Sequence, residues 1–363
     1  MYAVITGGGT GGHVTPALAI ADALVARGHD RSAIRFVGAR RGLEARAVPA
    51  AGYAVELLTL DGIQRSLAPH DVLRSVRALL AFVRALGSCV GLLRRTRPAV
   101  VVGVGGYASA PCVIAARVLR LPTVVHEQNA VPGVVNRVAV WLGARPAVSF
   151  PTSYWRDAVT TGNPIRADVA AVHRAPVAPP QLAVVGGSLG AGRLNDVALG
   201  LYDRWRARSD VAIRHVAGPR HADTCRTRLD ELRRPEDRLH YELVDFEDDM
   251  PGLYATSALV LCRAGATTVA ELAAVGMPAV LVPWSGSAEG QQDANAAALV
   301  EAGAGVVVAD ADCTVATIEP IVGPLLDDPA RRQAMADAAR TVGRPDAAAR
   351  VCALIEERVR DAA

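Results

Sequence analysis

The chain has 363 residues, 51% of them hydrophobic, and a formal net charge of +3. That length and apolar content suit two domains with well-filled cores and exclude an intrinsically disordered chain. The charge is too small for a broad nucleic-acid surface, and the complete absence of lysine excludes a Walker P-loop. Six cysteines (Cys89, Cys112, Cys225, Cys262, Cys313 and Cys352) are scattered singly, which points to reduced thiols rather than disulfides or zinc. The sequence opens directly on a strand, and no apolar run reaches about 18 residues free of charge. Neither a signal peptide nor a membrane span is therefore expected, and a cytoplasmic protein is.

The first predicted element is a short strand from Ala3 that breaks into Gly7-Gly8-Gly9-Thr10-Gly11-Gly12, followed by His13 and a helix opening near Pro16. Glycines let a ligand approach the backbone, and the N–H groups at the helix start favour an anion. Gly7, Gly9 and Gly12 also fit the dinucleotide fingerprint G-x-G-x-x-G, which requires an acidic residue about 20 positions on to grip a ribose. The next strand-like run, 33–37, ends in Gly38-Ala39-Arg40-Arg41, and Glu44 comes late for that role. His13 sits where the helix dipole favours a neutral imidazole able to accept a proton.

Residues 71–95 read as an amphipathic helix, with Leu73, Val76, Leu79, Leu80 and Val83 interleaved with Arg74, Arg77 and Arg84. Such a helix either faces a core or lies on an anionic bilayer. A strand at 99–102 then leads into Gly103-Val104-Gly105-Gly106-Tyr107. Another, at 123–125, leads into His126-Glu127-Gln128-Asn129, four hydrogen-bonding side chains placed where open α/β sheets bind ligands. A boundary is expected around Gly162-Asn163-Pro164, before the Pro- and Ala-rich stretch 171–180.

The second half repeats the scheme. A strand at 182–185 enters Gly186-Gly187-Ser188-Leu189-Gly190-Ala191-Gly192, and one at 259–262 enters Arg263-Ala264-Gly265-Ala266-Thr267-Thr268. Both loops precede helices and read as anion cradles. Glu271, about one turn into the second of these helices, is placed to take two ribose hydroxyls. A further strand is expected at 279–282, and the adjacent amides Gln291 and Gln292 suit sugar hydroxyls or a helix cap. Continuous apolar strands alternating with helices predict an α/β protein of two Rossmann-like parallel-sheet domains facing across a cleft. The last helix, about 345–361, has no following strand and is expected to pack back on the first domain.

Taken in order, GGGTGGHVTPALAIADAL, GVGGYASAP, HEQNAVPGVVNR, TGNPIR, GGSLGAGRLN, DFEDDM, RAGATTVAELAAVGMPAVLVP and QQDANA resemble the MurG family of N-acetylglucosaminyltransferases, over residues 3 to about 350. The resemblance implies a GT-B fold, with an acceptor domain at 1–162 rejoined by a helix at about 343–363, and a donor domain at 165–342. It implies inverting, metal-independent transfer of N-acetylglucosamine from UDP-GlcNAc to the 4-OH of MurNAc in lipid I, giving lipid II for the cell wall. No cofactor, metal or nucleic acid is involved in that activity. The family works as a peripheral protein on the cytoplasmic face of an anionic membrane, a contact that would fall on Leu73, Arg74, Val76, Arg77, Leu80 and Arg84.

The family's nucleotide-sugar contacts fall on Thr10, Gly11 and Gly12, on Asn129, Arg166 and Ser188, on Ala266, Thr267, Thr268, Val269, Ala270 and Glu271, and on Gln292. The backbone at Glu247 would read the uracil, and Gln291, Tyr107 and Glu127 are further candidates. His13 would be the general base for the acceptor hydroxyl or a ligand of the acceptor diphosphate. Three positions depart from the family pattern: Leu189 stands for Gln, Thr267 for Leu or Met, and Glu247 for an aliphatic residue. A relative acting on an antibiotic or glycolipid precursor would share these motifs. A UDP-GlcNAc 2-epimerase would share the fold and nucleotide but has no use for the HEQN segment, and a non-catalytic partner subunit has no use for both anion cradles.

Overall fold

In a computed structural model, residues 1–9, 11–60, 69–175 and 178–362 are described, with 69–76 described by backbone alone. The chain forms two units, Met1–Arg166 with Asp346–Ala363, and Ala167–Pro345. The change of unit falls four residues later than the boundary expected at Gly162, so Arg166 is the last residue of the first unit's longer segment.

The first unit is built on seven parallel strands: β1 (Ala3–Thr6), β2 (Ile34–Ala39), β3 (Ala54–Leu58), β4 (Val100–Gly103), β5 (Thr123–Glu127), β6 (Arg145–Val148) and β7 (Val159–Thr160). Their order is β3-β2-β1-β4-β5-β6-β7. Every residue of β1 and β4 is buried, which is why these central strands read as unbroken apolar runs. The chain leaves β1 in one direction across the sheet and resumes at β4 in the other. The β1–β4 junction is therefore the switch in strand order beside which open α/β sheets bind ligands, at the carboxyl ends of the strands.

Five helices matter for this site: α1 (Gly11–Ala26), α2 (Glu44–Ala50), α3 (Pro69–Thr96), α4 (Ala110–Val118) and α5 (Val134–Trp141). The helix Ala347–Arg360 belongs to the same unit, and its Val351, Cys352, Leu354 and Ile355 join the core beneath α1. On α3 the buried face is Ala85, Cys89, Leu92 and Leu93. Leu79, Leu80 and Val83 are exposed, as are Arg77 and Arg84, so these three apolar residues do not face the core.

The second unit repeats the plan with β8 (Gln181–Val185), β9 (Ala212–Val216), β10 (His240–Val244), β11 (Leu259–Cys262), β12 (Ala279–Leu281) and β13 (Gly305–Val307). Their order is β10-β9-β8-β11-β12-β13, all parallel, with the switch between β8 and β11. Four expected strand ends move, those of β4 and β12 by one residue and two others by two. β2 runs to Ala39 rather than residue 37, and β5 runs to Glu127 rather than residue 125. His126 and Glu127 remain in the sheet because each finds polar partners inside the protein.

Candidate functional site

In the first unit, β1 ends at Thr6 and the chain crosses the glycine run into α1, whose first-turn N–H groups have no intrahelical acceptor. The loop after β4 lies flat against this run. A Cβ on Gly106 would stand 2.4 Å from the Gly8 carbonyl oxygen, and Gly106 also has φ 78°, so only glycine permits the approach. His13, in the first turn of α1, rests its ring on the same loop. Its Nδ1 lies 3.5 Å from the Cβ position of Gly106, and its Cδ2 lies 3.3 Å from that of Gly105. Burial pushes the His13 pKa down, while the charges of Glu127 and Glu44 push back; the net lowering leaves a neutral imidazole at pH 7.

Two carboxylates frame this corner. Glu44, the first residue of α2, is 2% exposed and accepts from the Ala39 N–H at 2.7 Å and the Gly9 N–H at 2.9 Å. Glu127, the last residue of β5, accepts from the Asn129 N–H and Nδ2 on one oxygen. On the other it accepts from the Gly133 N–H at 3.0 Å and Asn136 Nδ2 at 2.8 Å. Glu127 therefore clamps the segment that carries Asn129. His126 is a core residue: Nε2 donates to the Gly162 carbonyl, Nδ1 accepts from Gln128 Nε2, and burial lowers its pKa to about 4. Of the four HEQN side chains, those of His126, Glu127 and Gln128 are buried and hydrogen-bonded within the protein, and Asn129 is half-buried.

In the second unit, the loop 186–192 enters the helix Gly192–Trp205, with Ser188 and Leu189 exposed. A buried relay lies beneath it. The Tyr241 hydroxyl donates to His215 Nδ1, His215 Nε2 donates to Asn195 Oδ1, and Asn195 Nδ2 donates to the Ala217 carbonyl. Ala217 in turn packs on Gly190 of the loop. Beside it, the helix Ala266–Val275 begins after Gly265 with no side-chain cap. Thr267 Oγ1 in its first turn is buried and has no hydrogen-bond partner among the described residues. Glu271 is 8% exposed, and its Oε2 accepts from the Tyr254 hydroxyl at 2.8 Å. Val269 is buried and Ala270 half-buried on the same helix.

Glu247 turns its side chain inward: Oε2 accepts from Arg214 Nε at 2.7 Å and Oε1 from the Asp249 N–H. A charged residue at this aliphatic position is thus accommodated by Arg214, and the backbone role expected there does not depend on its side chain. Gln291 and Gln292 open the helix Gln291–Glu301, and the Trp284 N–H donates to Gln292 Oε1. Arg263, Asp310 and Ser285 form a further bonded cluster.

Thr10 lies outside the described residues, as do the side chains of Leu73, Arg74 and Val76. The first unit brings together Gly11, Gly12, His13, Tyr107, Glu127 and Asn129, the Tyr107 ring lying against Gly9. The second holds Ser188, Glu247, the 266–271 run, Gln291 and Gln292. Sequence reasoning set Glu44 aside as too late for a ribose, and passed over Tyr254, Asn136 and the His215 relay. An acidic residue in a glycine-bounded turn was the available signal for Glu44; single polar residues in apolar strands offered none for the others.

Residues 3–147 match the glycosyltransferase family 28 N-terminal domain, and residues 181–351 the glycosyltransferase family 28 C-terminal domain. The chain is 40% identical over 371 residues to the UDP-N-acetylglucosamine--N-acetylmuramyl-(pentapeptide) pyrophosphoryl-undecaprenol N-acetylglucosamine transferase of Alkalilimnicola ehrlichii, covering 99% of both chains. The chain belongs to glycosyltransferase family 28. Within it, the like-named transferase of Streptomyces coelicolor is 38% identical over 359 residues, covering 96% of this chain and 95% of that one. The crystal structure of MurG from Acinetobacter baumannii superposes with a TM-score of 0.79 at 26% identity, over 98% of this chain and 99% of that one. This is the GT-B architecture. A UDP-N-acetylglucosamine 2-epimerase from Listeria monocytogenes shares it at 13% identity and a TM-score of 0.69, a likeness of fold alone.

Proposed function

We propose that this family-28 glycosyltransferase moves N-acetylglucosamine from UDP-GlcNAc to the 4-OH of MurNAc in lipid I, with inversion, forming lipid II. The observation that carries the reading is full-length similarity, at 37–40% identity, to transferases named for that reaction. In this reading Ser188 and the uncapped helix start at Ala266 hold the UDP diphosphate, and Glu271 takes the ribose hydroxyls. The backbone at Glu247 reads the uracil, and Gln291 and Gln292 face the sugar. Thr10, Gly11, Gly12, Asn129 and Arg166 complete the donor contacts. His13 serves the acceptor, as base for its hydroxyl or as donor to its diphosphate.

Loss of UDP requires charge stabilisation at the diphosphate, which helix N-termini and hydroxyl donors supply. Transfer is accordingly expected to survive EDTA with its rate unchanged; activity lost in EDTA and restored by Mg²⁺ or Mn²⁺ would overturn that assignment. The exposed Leu79, Leu80 and Val83 beside Arg77 and Arg84 support a peripheral seat for α3 on an anionic cytoplasmic membrane face. Among the described residues, no helix is long and apolar enough to cross one.

The deciding experiment supplies UDP-GlcNAc with and without a short-chain lipid I analogue and measures UDP release. Release only with the analogue is expected. Formation of UDP-ManNAc, or of UDP with ManNAc, without acceptor would identify an epimerase, and no transfer to lipid I with intact UDP binding would point to another lipid or antibiotic precursor.

A further inference from the structure

Both oxygens of Glu44 are committed to backbone N–H groups of other segments, Ala39 at the end of β2 and Gly9 in the glycine run. The surroundings are cut to the carboxylate. A Cβ on Gly8 would stand 2.0 Å from Oε1, one on Gly38 2.4 Å from Cγ, and one on Gly42 2.1 Å from Oε2. Burying a carboxylate is costly unless it is hydrogen-bonded, and an apolar side chain here would leave the Ala39 and Gly9 N–H groups without their acceptor. What the charge adds is a strong, directional hold on two N–H groups.

The contacts continue from Glu44 to the acceptor side. Gly8 lies between the Glu44 carboxylate on one face and Gly106 on the other, and Gly106 lies against His13 Nδ1. We propose that Glu44 is a positioning residue: a built-in anion that holds residues 7–9 against the loop 104–107 and so sets His13 for the acceptor. The Gly9 N–H is thereby spent on the protein's own carboxylate. A substrate phosphate at this corner must use the N–H groups of α1's first turn, at Gly11, Gly12 and His13. The proposal deepens, and rests on, the reading that His13 serves the acceptor.

The test compares wild type with Glu44→Gln, His13→Gln and the double variant. Gln keeps the volume but turns an N–H₂ toward one of two donors, removing a charge-assisted bond of a kind whose loss weakens an equilibrium about tenfold or more. Amide hydrogen exchange in the 5–12 peptide should accelerate by about that factor in Glu44→Gln, with exchange in residues 181–345 and UDP affinity unchanged. The kcat with the lipid I analogue should fall about tenfold in Glu44→Gln, and by no more than about twofold when added to His13→Gln, because residues acting as one unit are not additive. Gly8→Ala, which leaves Glu44 in place but presses a Cβ on its oxygen, should reproduce the effect.

Wild-type exchange and kcat in Glu44→Gln, wild-type behaviour of Gly8→Ala, or strictly additive losses in the double variant would each overturn the proposal. Should wild type fail to use lipid I, the functional reading falls, and the exchange arm still decides whether Glu44 holds the loop.

Discussion

The two glycine loops occupy equivalent places, each following the first strand of its sheet beside the switch in strand order, yet they are finished differently. The first has its anion inside: the Glu44 carboxylate takes the Gly9 N–H, and Glu127 fixes the neighbouring segment. The second is open. Ser188 and Leu189 are exposed, and among the described residues no carboxylate accepts from residues 186–192. A loop that carries its own anion is shaped before any ligand arrives, whereas an exposed one offers its donors to the ligand. The difference fits a first unit that orients a reacting group and a second that binds a nucleotide diphosphate.

The sharpest way to break this contrast is His13→Gln. General-base catalysis is worth about 10²–10⁴-fold, so kcat should fall by that order while UDP affinity stays put. If His13 is the base, kcat in wild type should show an acid limb below the ordinary imidazole value, since burial lowers its pKa, and the limb should vanish in the variant. A diphosphate contact would instead raise the acceptor KM without reshaping the profile. Unchanged kinetics at both saturating and limiting acceptor would leave His13 a structural residue.

On the other side, Glu271→Ala should weaken UDP binding by about 10- to 100-fold, the worth of hydrogen bonds from a buried charged group to hydroxyls, with the acceptor KM unaffected. Calorimetry with UDP is sufficient, and unaltered affinity would remove Glu271 from the donor site.

A stability measurement probes both units at once, because each buries one neutral histidine with a pKa of about 4: His126 in the first and His215 in the second. Their folded values lie below the unfolded value of about 6.5, so stability is complete above that value and is lost as pH falls toward 4. Between pH 7 and pH 5 each unit should lose about 2 kcal/mol, read from hydrogen exchange resolved by unit. Replacement of His215 by Gln should blunt the loss in the second unit alone; equal losses in both units of that variant would show that His215 is not its source.

The smallest effect belongs to Tyr254→Phe. It removes one hydrogen-bond donor from Glu271 and leaves the carboxylate in place, so UDP affinity should drop by only a few-fold. A drop as large as that of Glu271→Ala would mean that the hydroxyl, not the carboxylate, meets the nucleotide.

Much of this was legible in the residues. Buried parallel strands are continuous apolar runs, and glycine clusters directly after them mark the places where a sheet meets a ligand, so two repeated α/β halves and all four loops could be read in order. Glu271 stood out as a candidate too, as an acidic residue about one turn into an apolar helix behind a glycine loop; its burial and its bond from Tyr254 came from the fold. The side on which α3 presents Leu79, Leu80 and Val83 was not, since a helical period shows that a face exists but not which neighbour covers it.

Nor could local pattern place the polar residues that the interior absorbs. His126 and Glu127 looked like the start of a loop, yet they complete β5 because Gly162 and Asn136, 36 and 9 residues on, satisfy them. Glu44 looked like a ribose ligand arriving too late, and it is instead the anion of the first glycine loop, 35 residues from Gly9. Apolar periodicity and glycine placement are local properties that the sequence by itself determined. The partner of a buried charge is set by which distant backbone N–H groups the packed fold brings within 3 Å of it, and only the tertiary structure decided that.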